Sequence, residues 1–149
     1  HQLFTDSVAA ECALGIKAPN KDEIDCALEK VDLLAYKERH PLSLSGGQMQ
    51  RVAIARALVK KPELYIFDDS FSALDFKTDA ALRRALTKET KDAAVLIIAQ
   101  RVSTIRNASQ IVVLHEGQMA GIGTHEELLQ NCPVYREIYE SQTKEAQEA

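Results

Sequence analysis

Tryptophan is absent, and phenylalanine and tyrosine bring the aromatic fraction to only 5%. The basic residues are scattered and no aromatic stacking platform accompanies them, so nucleic acid is not the expected partner. The formal net charge of −4 points the same way. Cysteine is also scarce. Cys12, Cys26 and Cys132 are odd in number, widely spaced and form no Cys-x-x-Cys pair. That pattern suits small buried thiols in a reducing compartment better than disulfides or a zinc site. No apolar run approaches the ~20 residues that cross a bilayer. The longest, "AAVLIIA", is strand-sized, and the first residues show no signal-peptide pattern. Also missing is any Gly-x-x-x-x-Gly-Lys-Ser/Thr run. Gly117 and Gly121 are the nearest spaced glycines, and no Lys-Ser/Thr follows them.

What is present is an ordinary globular composition over 149 residues, 46% hydrophobic and 27% charged, room for about one core. "TDSVAAECALGI" predicts a short helix. Pro19 and Asn20 open a second helix through "KDEIDCALEKVDLLAYK", with Ile24, Leu28 and Val31 on one stripe. Pro41 and a Ser/Gly cluster break the chain. A helix then runs from about Gly46 to Lys60 and stops before Pro62. "LYIFDD" and "AAVLIIAQ" read as buried strands flanking an amphipathic helix, "FKTDAALRRALTKET". "STIRNA" is a helical turn, and "QIVVLHEGQMAGIG" a hairpin turning at Glu116-Gly117. Thr124 and Glu127 have capping-box spacing ahead of a further helix, and the tail is helical before it frays. Strands that are continuous apolar runs, alternating with helices, predict an α/β fold with a parallel sheet covered on both faces. Ligands of such sheets gather at the C-terminal ends of the strands, where Asp68, Asp69 and Gln100 fall.

The strongest chemical signal is "LSGGQMQR", Leu44 to Arg51. Ser45, Gly46 and Gly47 start a helix. Its free N–H groups and positive end favour an anion such as a phosphate, and glycines let the backbone approach closely. Ser45 adds a hydroxyl and Gln48 an amide. Alone, "SGG" is equally a helix start that only turns the chain. Arg51 is read as pairing with an acid inside the domain rather than touching phosphate. His125, with Glu126 and Glu127, lacks the second histidine of a zinc motif and reads as a helix start whose acids suit the dipole.

The ordered set resembles the ATP-binding-cassette (ABC) ATPases. "LSGGQMQR" is similar to their signature motif, "YIFDD" to the Walker B strand, "SALD" to the D-loop, and "IIAQR" stands where the switch histidine normally is. The resemblance covers essentially the whole chain. It implies a partial P-loop NTPase fold of ABC type with helices on both sheet faces, lacking the P-loop strand. Residues 8–43 would be a helical-subdomain segment, 44–123 the signature-to-switch region and 124–149 C-terminal helices.

The resemblance further implies a head-to-tail partnership with a second nucleotide-binding domain. There Ser45, Gly46, Gly47 and Gln48 contact ATP held by the partner, and Asp75 lies at the interface, a helix N-cap being its competing or coexisting role. Asp68 would help hold Mg²⁺ through water, its alternative being a strand-end acid capping the next turn. Asp69 occupies the catalytic position, where the family usually has Glu, and is shorter by roughly 1.5 Å. Gln100 replaces the switch histidine and cannot titrate near neutral pH. Two departures on one site imply that it binds ATP and hydrolyses it poorly, as in the degenerate half of a heterodimeric exporter, while the signature motif still serves a partner. The assembly would couple ATP to a transmembrane domain at the cytoplasmic face of the cell membrane. The isolated chain is expected to bind ATP weakly and to be inactive. Its first third resembles importer-energising ATPases, and the chain from about residue 55 onward multidrug-type exporters. A chimera, or a fragment acting as a non-catalytic interaction module, is the alternative. A non-transport ABC ATPase is disfavoured by the absence of sustained heptads.

Overall fold

A computed structural model describes residues 5–71, 74 and 76–148. The chain divides into two compact units, His1–Ile98 and Ala99–Ala149.

In the first unit, α1 (Val8–Ala13) starts at Ser7, whose hydroxyl accepts from the Ala10 N–H. Asn20 caps α2 (Lys21–Lys30) in the same manner. The expected stripe of Ile24, Leu28 and Val31 is buried, but α2 ends about seven residues earlier than its apolar pattern suggests. Asp32 takes a left-handed backbone, φ 56°. The Leu33 N–H then bonds the Leu28 carbonyl, and the Asp32 N–H bonds that of Glu29. These are the two bonds of a Schellman stop. Leu34–Tyr36 continues only as a 3₁₀ turn. Cys26 departs from its expectation too. It is exposed, because the buried positions of α2 are Ile24, Ala27 and Leu28, and Cys26 falls off that stripe. Cys12 and Cys132 are buried as expected.

Helix α3 (Gly46–Val59) and strand β1 (Leu64–Asp68) follow, then α4 (Phe76–Glu89) and β2 (Ala94–Ile98). β1 and β2 pair in parallel, Leu64 with Ala94 through Asp68 with Ile98. Tyr65 and Phe67 are buried in a core shared with Val8, Leu28, Val52, Ile54 and Leu82. Leu64, Ile66, Leu96 and Ile98, the other face of the pair, are exposed. The sheet is therefore covered on one face in this chain. The apolar runs that suggested cover on both faces report side chains that nothing among the described residues buries.

In the second unit, β3 (Ile111–His115) and β4 (Gln118–Gly123) form an antiparallel hairpin. Its turn falls at Glu116 and Gly117, φ 49° and 76°, the pair of positive φ angles that a two-residue hairpin turn favours. Short α5 (Val102–Ile105) precedes it. α6 (His125–Asn131) and α7 (Pro133–Glu148) close the chain. The Thr124–Glu127 capping box forms at the start of α6. Its N–H and O–H bonds to the Glu127 carboxylate hold that group below its ordinary pKa. His125 is buried, with Nδ1 2.9 Å from the Tyr135 hydroxyl, and is a core residue of the α6–α7 contact.

Candidate functional site

Ser45 is the N-cap of α3, and it forms a capping box with Gln48. The Ser45 N–H donates to Gln48 Oε1 at 2.9 Å, and the Gln48 N–H donates to Ser45 Oγ at 3.3 Å. The box uses the acceptor halves of both side chains. Ser45 O–H and the two Gln48 amide N–H groups, together with the first-turn N–H groups of Gly46 and Gly47, are donors. The start of α3 is thus a set of donors at the positive end of a 14-residue helix. That chemistry fits an anion. A Cβ placed on Gly46 meets nothing within 4 Å, so the approach to this turn is open.

Arg51 lies within the same helix, and its Nη1 donates to the carbonyls of Val31 at 2.8 Å and Asp32 at 3.3 Å. The Asp32 carboxylate is 3.5 Å away. Pairing inside the domain is thus borne out, with main-chain carbonyls as the nearer partners. Arg56, further along α3, is ion-paired with Glu11 of α1. Glu11 is fully buried and also accepts from the Thr5 hydroxyl at 3.1 Å. Sequence reasoning missed Glu11. The available signal was a lone acid in the apolar stretch "VAAECAL", since an acid on a buried stripe needs a cation. Beside it, burial and then the Glu11 charge push the Cys12 thiol up to about 12.

The carboxylates stand at the other end of the unit's sequence logic, where β1 finishes. Asp68 is its last residue and is exposed. Its carbonyl accepts from the Ser70 hydroxyl at 3.4 Å. Asp69, expected within the strand, lies just past it in the left-handed region, φ 48°. Its N–H donates to the Ile98 carbonyl at 3.0 Å, which carries the pairing of β1 and β2 one residue beyond the strands. A non-glycine residue in this conformation costs roughly 1–2 kcal/mol. The two acids are therefore adjacent in sequence but differ in backbone geometry. An exposed carboxylate oxygen suits Mg²⁺ held through water, so Asp68 is chemically compatible with that ion.

Gln100 opens the second unit. Its carbonyl accepts from Gln142 Nε2 at 2.7 Å, and Gln142 Oε1 accepts from the Val102 N–H at 2.9 Å. Asp75 lies outside the described residues. Ser45–Gln48 and Asp68–Asp69 belong to one unit but to different elements. A groove of about 280 Å³ between α3 and β1, lined by Arg56, Lys60, Ile66 and Ser70 among others, includes none of them.

The ABC transporter family model matches residues 1–72. The chain is 38% identical to the ATP-dependent lipid A-core flippase of Chromobacterium violaceum over 98% of its length, and covers 27% of that protein. It is 48% identical to the ABC transporter ATP-binding protein YfiB of Bacillus subtilis over 94% of its length, covering 26% of that protein. Both similarities run through the N-terminal third as well as the remainder. A bacterial Atm1-family ABC exporter solved with ATP bound superposes on 95% of this chain at a TM-score of 0.87 and 33% identity, with 27% of the exporter chain covered. The chain spans about a quarter of the length of these relatives. Capped glycine motif, acid-terminated parallel strand and these similarities converge: the chain belongs to the ABC transporter ATP-binding family.

Proposed function

We propose that this chain is the signature-bearing part of an ABC exporter's nucleotide-binding domain, which supplies Ser45–Gln48 to ATP held by a second such domain. On this reading its own catalytic position, Asp69, and its own switch position, Gln100, are each degenerate. The pair of domains closes around nucleotide at the cytoplasmic face of a membrane and drives an attached transmembrane domain. Ser45 and Gln48 donate to the γ-phosphate oxygens while their acceptor atoms keep the helix start capped. Asp68 would hold Mg²⁺ through water, and the ion would supply neutralisation of the phosphate charge. Asp75 is assigned to the interface between the two domains.

The observation that carries the degenerate reading is the main-chain bond of Asp69. Asp is shorter than Glu by roughly 1.5 Å. A backbone advance could in principle restore the reach of the carboxylate. The Asp69 N–H, however, is held to the Ile98 carbonyl at 3.0 Å in a left-handed conformation. An advance of that size along the bond would break it. A misplacement of about 1 Å at a reacting atom costs on the order of 100-fold in rate. Gln100 cannot make good the loss by proton transfer.

Gly46→Asp tests the central assignment. A Cβ at this position meets nothing within 4 Å, and an acid in the first helical turn favours the helix. The variant should fold at least as well as the parent. Its carboxylate would nevertheless repel a phosphate. In an assembly with a P-loop-bearing ABC domain, ATP turnover should fall by at least about 100-fold. Turnover equal to that of the parent assembly, with the variant folded, refutes the assignment.

A further inference from the structure

Beside the apolar core that α2 and α3 share, the end of α2 is gripped by one polar side chain from the second turn of α3. Asp32 occupies the left-handed position of the Schellman stop, where glycine is the usual residue. Arg51 compensates for it. Its Nη1 reaches the Val31 carbonyl at 2.8 Å and the Asp32 carbonyl at 3.3 Å, and lies 3.5 Å from the Asp32 carboxylate. Those carbonyls form the negative end of α2, where a guanidinium is favoured. The Arg51 side chain is only 15% exposed. Its Nε is buried with no partner among the described residues. The arrangement favours placement: a planar fork that grips one helix end from the side of another.

We propose that Arg51 is a positioning residue for Ser45–Gln48. It lies three residues beyond Gln48 and less than two turns from the cap of α3. By locking the stop of α2 onto α3 it sets how the donors at the helix start are presented. Without it the cap is still made by Ser45 and Gln48, but the helix start swings relative to α2. The residue is thus separate from the groups that touch phosphate. This inference rests on the assignment of Ser45–Gln48 to a partner's nucleotide.

Two measurements on Arg51→Met and Arg51→Lys test it. In the 149-residue chain by itself, amide hydrogen exchange should speed up roughly tenfold at Asp32, Leu33 and Gln48–Gln50 in Arg51→Met. Helix α4 should be unaffected. Arg51→Lys, which keeps the charge and grips a single carbonyl, should recover at least half of the logarithmic change. In the assembly with a P-loop-bearing ABC domain, Arg51→Met should raise the ATP concentration for half-maximal turnover roughly tenfold, with the maximal rate changed less than about threefold. A merely structural defect would lower the maximal rate with the amount of folded protein and leave the half-saturating concentration alone. Unchanged local exchange overturns the proposal. So does faster exchange with unchanged ATP dependence in an assembly that Gly46→Asp inactivates. If Gly46→Asp is also silent, the assignment of the motif falls and this inference falls with it. Should Arg51→Met not fold, Arg51→Lys carries the same comparison, with about a threefold rise expected.

Discussion

The Glu11–Arg56 pair allows the sharpest stability prediction, because its two members are buried to different extents. Glu11 is wholly buried, whereas the Arg56 side chain is 26% exposed. Removing one partner of a buried pair costs about 3–5 kcal/mol. Arg56→Met leaves a carboxylate in the core, still bonded to the Thr5 hydroxyl but without the Arg56 guanidinium. The cost should lie at the upper end, about 4–5 kcal/mol. Glu11→Gln keeps the acceptor for Arg56 and strands only a guanidinium that already reaches water, so about 2 kcal/mol is expected. The double variant Glu11→Leu with Arg56→Met replaces the pair by apolar groups of similar volume. It should lie close to the parent or above it, since such replacements are neutral or stabilising by about 1–4 kcal/mol. Urea unfolding of the chain at 25 °C reads all three, with a constant slope as the check that the cooperative unit is unchanged. The decisive quantity is the order: Arg56→Met worst, Glu11→Gln intermediate, double variant recovered. If Arg56→Met costs less than about 1 kcal/mol, or if the double variant is as unstable as the single, the pair does not hold α1 on α3.

Thiol labelling should distinguish the cysteines: at pH 8 Cys26 reacts with a disulfide reagent within minutes. Cys12, buried and with its thiol pushed up to about 12, reacts only on unfolding, and two fast thiols would contradict this. Glu127 is held below its ordinary pKa, so its contribution to α6 is present above the unfolded value and is lost as pH falls through the lowered one. Carboxyl chemical shifts should report that midpoint, and Thr124→Ala, which removes the hydroxyl bond but keeps the stronger main-chain one, should move it part of the way back up. At the hairpin, Glu116→Asn should stabilise by a few tenths of a kcal/mol, and Gly117→Val should destabilise by about 1–2, both read by thermal unfolding. In the assembly, Asp69→Glu combined with Gln100→His should raise ATP turnover by on the order of 10–100-fold, and an unchanged rate would refute the degenerate reading.

Local signals settled much of this molecule in advance. Ser45 before two glycines was legible as an anion-favouring helix start, whereas the capping box that Gln48 closes with Ser45 was found in the structure, although its residues are only three apart. The Glu116-Gly117 turn and the Thr124–Glu127 box were legible because each is made by residues close together along the chain. The alternation of apolar strands with amphipathic helices was enough for a parallel α/β arrangement, and the order of motifs along the chain was enough for the family. Other features depended on partners distant in sequence. The end of α2 was misjudged because apolar periodicity continues through Leu33 and Leu34, while the stop is made by the Asp32 backbone and secured by Arg51, 19 residues on. Glu11 meets Arg56 across 45 residues, a separation that no window of local pattern spans. The placement of Asp69 was likewise beyond reach. Side-chain chemistry identified a shortened acid at a strand end, but its left-handed backbone and the bond of its N–H to the Ile98 carbonyl depend on the pairing with β2, 30 residues further along. The sequence by itself determined which residues can donate to phosphate and which carboxylates end the strand. Tertiary structure decided which of those groups are held in place, because holding takes contacts between elements that are far apart along the chain.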